Sequence, residues 1–356
     1  MISTGQKIAI ERTKDSRLST TDLGSISFGR VFSDHMFVME HEKGEWHRPR
    51  IVPYTDIPMS PASAVLHYAQ SIFEGLKAYR APDGQVNIFR PQQNIERMNR
   101  SAERMCMPAI PEDLFMEAMV TLVGEDRNWI PQGDDASLYI RPFMIAADSY
   151  IGIRPSDTYR FIIFTCPVRS YYAEPVNVAI ETEYSRAFPG GTGETKCAGN
   201  YAAALYPLRK ALARNIHQMI WTDAIEHKYI EESGTMNVFF LIDGTLITPE
   251  TGGTILRGVT RDSIITLARD MDIPVEVRKV TVQEVVDAAR AGKLQEAFGA
   301  GTAATVAHIQ SITHADERFD LPPVEARKVA TRISDRLDRI RRGKEADPFG
   351  WLVPVP

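Results

Sequence analysis

The chain has 356 residues, 44% hydrophobic and 24% charged, which favours a globular protein of about two domains over a disordered one. Its formal net charge of −5 gives no support to binding of nucleic acid or of an anionic membrane surface. Three scattered cysteines, no membrane-length apolar run and no signal-peptide pattern at the N-terminus predict a cytoplasmic protein without a metal site.

The first half of the chain interleaves strand and helix patterns, which predicts a mixed α/β or α+β fold. A hairpin turns at Asp83-Gly84, and a helix follows with Pro91 in its first turn. SLYIRPFMIAA and YRFIIFTCPV then read as strands. The polar, proline-containing RSYYAEPVN comes next, so we predict a domain over residues 1–168, a linker over 169–180 and a second domain over 181–356.

The second half continues the mixed pattern. We predict one helix over residues 201–214, a second Asp-Gly hairpin at Asp243-Gly244 and a helix over RDSIITLARDM. The sequence TVQE is a capping box, with Thr281 as the N-cap and Glu284 three residues later.

Lys196 lies in TKCAGNY, inside a glycine-rich loop that runs into a predicted helix. Such a loop is usually a mobile turn, but it also lets the backbone approach a ligand. A lysine forms a Schiff base with an aldehyde, which is how pyridoxal phosphate is anchored. That cofactor also needs donors for its phosphate, a partner for its ring nitrogen and a donor for its phenolic oxygen.

The second half contains candidates for each of these needs. LRGVT ends where a helix begins, so that Gly258 allows a bend and the amides of Val259 and Thr260 point out of the helix. FGAGTAA offers a similar turn beside Thr302. Glu232 precedes an apolar strand, where a buried carboxylate needs a cation. Each feature alone also fits a turn or a strand end, so the prediction depends on their joint occurrence.

Longer segments resemble a known family. IEESGTMNVFF, LIT and LRGVTR resemble the spaced signature of the class-IV pyridoxal-phosphate aminotransferases, and TKCAGNYAAAL resembles their lysine segment. SIFEGLKAYR, IFRPQQNIERMNRSAERMCMP, SLYIRPFMIAAD and FGWLVPV are similar to the branched-chain subgroup. The resemblance implies pyridoxal-phosphate fold type IV, with a smaller N-terminal α/β domain and a larger C-terminal pseudobarrel domain.

The resemblance also implies cofactor roles. Lys196 would bind the cofactor aldehyde and move a proton, Glu232 would pair with the ring nitrogen, and Tyr201 would bond the ring hydroxyl. The remaining residues would form the phosphate site: Arg97, Gly258, Val259, Thr260 and Thr302.

Substrate roles follow from the same resemblance. Thr235 and Ala303, with Tyr68 from a second subunit, would bind the α-carboxylate. Arg141 would bind the distal carboxylate of glutamate. An apolar side-chain pocket would contain Phe28, Phe73 and Tyr139, with Ile151 and Ile153 from the second subunit.

These roles imply transfer of an amino group between leucine, isoleucine or valine and 2-oxoglutarate by a homodimer or higher homo-oligomer. A D-amino-acid aminotransferase, an aminodeoxychorismate lyase and an inert ligand-binding relative are the alternatives. Some relatives carry a C-x-x-C pair where this chain has Ala304 and Ala307, so no thiol switch is expected there. Cys197 is interpreted as a packing residue, and Lys77 is the rival lysine.

Overall fold

A computed structural model describes residues 7–169 and 174–356. Residues 170–173, which belong to the predicted linker, lie outside the described residues. None of the helices in the described ranges combines the length and apolarity needed to cross a bilayer.

The described residues pack as two compact units. The first unit contains residues 7–169, Lys196–Ala198 and Ile340–Pro356, and the second contains 174–195 and Gly199–Arg339. The predicted domain bounds stay a prediction, and the C-terminal residues 340–356 pack in the unit that contains the N-terminal half.

Strands and helices alternate along the chain, as predicted for a mixed α/β fold. The strands are β1 Ala9–Ile10, β2 His35–Glu42, β3 Glu45–Pro53, β4 Ser71–Phe73, β5 Leu76–Arg80, β6 Val86–Phe89, β7 Ser137–Ala146, β8 Tyr159–Val168, β9 Val176–Ile180, β10 Gln218–Thr222, β11 Ile230–Ser233, β12 Asn237–Ile242, β13 Thr245–Thr248, β14 Val275–Val277, β15 Leu294–Gly301, β16 Thr305–His314, β17 Glu317–Asp320 and β18 Leu352–Val355. The helices are α1 Ala64–Tyr68, α2 Pro91–Arg104, α3 Glu112–Glu125, α4 Ala198–Ala202, α5 Leu205–Leu212, α6 Val259–Asp270, α7 Val282–Arg290 and α8 Val329–Arg341.

The sheet of the first unit has the strand order β1-β3-β2-β8-β7-β5-β6-β18, and β4 pairs with β7. Except for the parallel pair β1–β3, its strands run antiparallel. Helices α2 and α3 supply Met98 and Phe115 to a core that also contains Phe37 and Phe161. Burial of each such side chain contributes about 1.5–3 kcal/mol.

The sheet of the second unit has the order β11-β10-β9-β16-β15-β12-β13-β14, and β17 pairs with β16. Strands β12 and β15 are antiparallel, with Asn237 opposite Ala300. Val238 and Phe240 of β12 pack with Val285 of α7 in the core of this unit. The register of β12 and β15 sets which loop residues meet at the end of the sheet.

Several local predictions are confirmed. The β5–β6 and β12–β13 hairpins turn at the predicted Asp-Gly pairs, with Gly84 at φ 89° and Gly244 at φ 80°. Pro91 opens α2. The Thr281 hydroxyl accepts a hydrogen bond from the Glu284 amide at 3.1 Å, as the capping box predicts.

The prediction of one helix over residues 201–214 is wrong. The segment forms the short helices α4 and α5, and Leu205 and Leu212 are 65% and 54% exposed. Pro207 accounts for the break, because proline has no N–H to donate to the Ala203 carbonyl and its ring clashes with that group.

Candidate active site

Backbone contacts within the first unit fix the position of Lys196. The Phe73 amide donates to the Lys196 carbonyl at 3.0 Å, and the Lys196 amide donates to Ser101 Oγ at 3.1 Å. The next residue, Cys197, forms a β-bridge with Ile72 and is 2% exposed in the core. Strand β4 and helix α2 therefore hold the lysine, and Cys197 is a packing residue as predicted.

Five predicted site residues, including Phe73, are linked by contacts in what we call the Phe73 cluster. Lys196 Nζ lies 4.9 Å from the ring centroid and the Arg141 guanidinium carbon 4.8 Å from it. Arg141 also donates from Nη2 to the Tyr139 hydroxyl at 3.1 Å. Phe28 packs edge-on against Tyr139 with centroids 5.1 Å apart. The cluster thus combines an amine, a guanidinium and an apolar aromatic wall.

Arg141 has unused donor capacity. Its Nε is buried and has no hydrogen-bond partner among the described residues. A buried donor without a partner is costly unless a ligand satisfies it. A guanidinium presents paired donors that match a carboxylate. The donor set therefore fits an acidic ligand group.

The rival Lys77 lies on β5, opposite Tyr139 of β7, and is 8% exposed. It shares its surroundings with Cys166, which is opposite Tyr139 on the other side. Burial raises the pKa of the Cys166 thiol to about 11, although the charges of Arg141 and Lys77 act in the opposite direction. Cys166 is consequently a neutral thiol at physiological pH and not a nucleophile.

Arg97 is paired with a residue that the sequence analysis did not single out. Its Nε and Nη2 each donate to the Glu74 carboxylate at 2.7 Å, and both side chains are buried. Glu74 lies in the SIFEGLKAYR segment, but nothing in its local pattern predicts a partner 23 positions away. The pair orients the arginine that was predicted to bind phosphate.

In the second unit, Glu232 is 4% exposed on β11 and is held from two sides. Its Oε1 accepts from the Leu256 amide at 2.9 Å and from Asn237 Nδ2 at 3.2 Å. Its Oε2 lies 3.0 Å from Arg186 Nε. Arg186 is a second residue that the sequence analysis missed. Its only sequence signal is a position ten residues before Lys196, in the loop that the lysine segment extends.

Helix α6 begins next to this carboxylate. Asn237 Nδ2 also donates to the Leu256 carbonyl at 2.9 Å, which ties the turn before α6 to the Glu232 site. A Cβ on Gly258 would lie 2.0 Å from Asn237 Oδ1, so the close approach requires glycine there. Gly258 is the N-cap and forms no side-chain cap, which leaves the amides of Val259 and Thr260 suited to an anion.

The two predicted α-carboxylate residues of this unit lie at one end of its sheet. Asn237 is opposite Ala300, so the antiparallel register brings the turn with Thr235 level with the turn that contains Thr302 and Ala303. Thr235 is exposed, and the other two are partly exposed. Tyr201 lies in α4 and is half-buried.

Tyr68, Ile151 and Ile153 are surface residues, 36%, 66% and 94% exposed. Tyr68 ends α1, and the other two lie between β7 and β8. The start of α1 is joined to this loop by a Ser63–Ser149 bridge and by the Ala64 amide, which donates to the Asp148 carbonyl at 2.9 Å. The two segments that carry these exposed residues are therefore joined on the surface of the first unit.

Each unit by itself contains donor groups of the kinds that pyridoxal phosphate requires. The second unit has a helix N-terminus without a side-chain cap for an anion and a buried carboxylate for a ring cation, and the first unit has an anchored amine. Among residues 7–169 and 174–356, no group of three or more His, Cys, Asp or Glu side chains is placed to hold a metal ion.

Comparison with known sequences gives consistent matches. The amino-transferase class IV family matches residues 71–312. Branched-chain-amino-acid aminotransferase 2 of Bacillus subtilis (strain 168) is 44% identical over 99% of this chain and 98% of its own length. The branched-chain-amino-acid aminotransferase of Mycolicibacterium smegmatis is 41% identical over 93% of this chain and 92% of its own.

Solved structures are similar over most of the chain. The branched-chain aminotransferase of Thermoproteus uzoniensis, crystallised with norvaline, has a TM-score of 0.75 at 26% identity, covering 90% of this chain and 100% of that one. The branched-chain amino acid aminotransferase of Escherichia coli has a TM-score of 0.71 at 25% identity, covering 90% and 98%. The predicted type IV fold is confirmed by these matches.

Proposed function

This chain belongs to the class-IV amino-transferase family, and we propose that it is a branched-chain-amino-acid aminotransferase. The proposed reaction transfers the amino group between leucine, isoleucine or valine and 2-oxoglutarate. The Phe73 cluster carries the proposal, because it holds the Lys196 amine beside both an apolar wall and a cation. The sequence identity of 44% to a relative with this name supports the substrate class.

We propose pyridoxal phosphate as the cofactor. When bound, it supplies an aldehyde that condenses with amines and a ring that accepts electrons from the substrate Cα. Lys196 would anchor it, Glu232 would pair with its ring nitrogen, and Tyr201 would bond its ring hydroxyl. The phosphate would be bound by Arg97, Thr302 and the segment Gly258–Thr260.

Lys196 Nζ would act as the proton carrier of the reaction, taking the proton from the substrate Cα and delivering it to the carbon that was the cofactor's aldehyde carbon. The backbone bonds to Phe73 and Ser101 keep the lysine backbone fixed while its four-carbon side chain moves. Glu232 would hold a proton on the ring nitrogen through a carboxylate that is already oriented by Asn237 and the Leu256 amide.

Substrate binding would use both kinds of surface in the Phe73 cluster. Phe28, Phe73 and Tyr139 would contact an aliphatic side chain, and Arg141 would bind the distal carboxylate when glutamate occupies the same place. Thr235 and Ala303 would bind the α-carboxylate.

We propose a homodimer as the smallest active unit, in the cytoplasm. Exposures of 66% and 94% for Ile151 and Ile153, together with 36% for Tyr68, support their burial by a second copy, whose pocket they would complete. Three free thiols support a reducing compartment.

Borohydride reduction of the cofactor-loaded protein, followed by peptide mapping, tests the anchor. We expect the label on Lys196, and a label on Lys77 would contradict the assignment. A panel of amino donors tests the reaction: turnover of L-leucine is expected, whereas turnover of D-alanine or aminodeoxychorismate alone would favour the other members of the fold. Failure of a folded sample to bind the cofactor would favour an inert relative.

A further inference from the structure

Arg186 is a buried cation in the second unit with three acceptors around it. Its side chain is 8% exposed, and its Nε lies 3.0 Å from Glu232 Oε2. Its Nη2 donates to the Gly193 carbonyl at 3.2 Å and also to the Thr254 carbonyl. One guanidinium therefore joins the carboxylate on β11 to the glycine-rich segment that leads to Lys196.

Arg186 stabilises the charge of the Glu232 carboxylate but does not fix the orientation of that group. The Nε–Oε2 distance is that of an ion pair, but Nε has no aligned hydrogen bond. Direction comes from Asn237 and the Leu256 amide, which both donate to Oε1. Asn237 and the Leu256 amide therefore orient the Glu232 carboxylate, and Arg186 supplies the opposite charge.

A buried carboxylate needs such a countercharge to remain ionised. A lone carboxylate in a site 4% exposed takes up a proton rather than stay charged. A protonated acid cannot accept the N–H of a cationic ring, so the proposed role of Glu232 requires the charged form. The site must therefore contain a permanent cation before the cofactor arrives.

Other charged groups face the same site. Burial lowers the pKa of Arg261, while the charges of Asp262 and Glu232 act in the opposite direction. Burial raises the pKa of Glu231, against the hydrogen bond from Thr254 and the charge of Arg186. Arg186 lies at a direct ion-pair distance from Glu232, with its Nε 3.0 Å from Oε2.

The chain is tightly packed at Gly193, one of the residues whose carbonyl accepts from Arg186. A Cβ there would lie 2.5 Å from Ala187 Cβ and 2.6 Å from the Thr254 carbonyl oxygen. Only glycine fits at this position. Its close approach to Thr254 allows the Gly193 and Thr254 carbonyls to accept from the same Nη2 of Arg186. The path of the chain three residues before Lys196 is thereby tied to the Glu232 site.

We propose that Arg186 is a positioning residue that keeps the Glu232 carboxylate ionised and ties it to the glycine-rich segment at Gly193. This inference rests on the proposed function. It predicts that Arg186 contributes to cofactor affinity through Glu232, although it need not touch the cofactor itself.

Binding of pyridoxamine 5′-phosphate to the apoprotein tests this role, because its amine does not condense with Lys196. Calorimetry would compare Arg186→Met and Arg186→Lys with the control Arg327→Met. Arg327 is 4% exposed in the same unit and donates from Nε to the Pro322 carbonyl at 2.8 Å. We expect a loss of at least about tenfold for Arg186→Met, a smaller loss for Arg186→Lys, and little change for the control.

A double variant separates positioning from general destabilisation. In a Glu232→Gln background, Arg186→Met should lower the affinity for pyridoxamine 5′-phosphate by no more than about twofold, because the carboxylate charge that Arg186 stabilises is absent. The affinity of Arg186→Met relative to wild type should also fall as the pH is lowered from about 8 to about 6, because Glu232 takes up a proton more readily once the Arg186 charge is removed.

The outcomes separate this inference from the proposed function. If wild-type apoprotein does not bind the probe, the proposed function fails. If wild type binds but Arg186→Met has the same affinity as Arg327→Met, only the proposed role of Arg186 is wrong. The same conclusion follows if the double variant loses affinity by the product of the two single losses. If Arg186→Met is insoluble, the same cycle with Arg186→Lys decides, since it should still lose affinity only when Glu232 is present.

Discussion

Glu74 and Arg97 form a bidentate ion pair in which 0% and 6% of the side chains are exposed. Glu74 is fixed to the first sheet, since its amide donates to the Pro142 carbonyl of β7 at 2.7 Å. Arg97 lies on α2, so the pair joins that helix to the sheet. The same pair orients the guanidinium that is proposed to bind phosphate.

Replacement of Glu74 by glutamine should destabilise the protein strongly. The change leaves a buried guanidinium without its countercharge, which costs about 3–5 kcal/mol in free energy of unfolding. Urea denaturation of the apoprotein measures this cost. Glu96→Gln is the control, because Glu96 forms an exposed pair with Arg100 on the same helix and should cost little. Equal stability of the two variants would contradict the importance of the buried pair.

Local sequence patterns predicted the elements next to this pair but not the pair itself. Pro91 and the Asp83-Gly84 turn act within a few residues, so their structural effects can be read from the sequence. The contact of Glu74 with Arg97 spans 23 positions and depends on how α2 packs on the sheet. Without known relatives, no periodicity or spacing indicates it.

In the candidate site, too, some residues could be identified from the sequence, whereas contacts that depend on tertiary packing could not. The resemblance identified Lys196, Phe73 and Arg141, and the structure brings these residues together. Arg186 was missed because its pairing depends on where β11 lies relative to a loop about 45 residues earlier. The split between α4 and α5 was missed because the apolar spacing by itself predicts one continuous helix, whereas Pro207 interrupts its hydrogen bonds.

Gly75 should be indispensable for the shape of the Phe73 cluster. A Cβ at this position would lie 1.9 Å from the Tyr139 hydroxyl oxygen. Tyr139 is 6% exposed and bonded to Arg141, so it cannot move aside without moving the guanidinium. We expect Gly75→Ala to reduce kcat/KM for leucine by at least about tenfold, equivalent to about 1.4 kcal/mol.

Gly124→Ala is the matched control for that variant. Gly124 lies in α3, where a Cβ would meet its nearest neighbour, Val355, at an ordinary 3.6 Å. Alanine there should leave kcat/KM unchanged and increase stability slightly, because alanine favours the helix. Unchanged kinetics in Gly75→Ala would show that the cluster tolerates displacement of Tyr139.

Arg141 should be more important for binding acidic substrates, such as glutamate, than for binding aliphatic ones, such as leucine. Removal of a charge-assisted hydrogen bond to a ligand carboxylate costs about 1.5–3 kcal/mol, or about 10- to 150-fold in binding. Arg141→Met should therefore raise KM for glutamate and 2-oxoglutarate by such a factor while changing KM for leucine much less. Steady-state kinetics with each donor measures the split. An equal loss for leucine and glutamate would assign Arg141 to packing of the cluster instead.

The Asp148 carboxylate joins the two ends of the loop that contains Ile151 and Ile153. Asp148 Oδ1 accepts from the Thr158 amide at 3.0 Å and from its hydroxyl at 2.6 Å, and Oδ2 accepts from the Asp157 amide at 3.0 Å. Burial opposes ionisation of Asp148, but the hydrogen bonds from Asp157 and Thr158 outweigh it and hold the pKa below its usual value. The ionised form is therefore the one that orders the loop.

This lowered pKa means that the loop should open only in acid, below the usual titration range of an aspartate. Stability from Asp148 is fully present above the unfolded-state pKa of about 3.9 and is lost only as the pH falls through the lower folded-state value. Hydrogen exchange should show intact protection of residues 148–158 from neutral pH down to about 4. Asp148→Asn should lose protection at every pH, whereas Asp157→Asn should lose little, since that side chain is 83% exposed. Loss of wild-type protection between about pH 5 and 7 would mean that another group holds the loop.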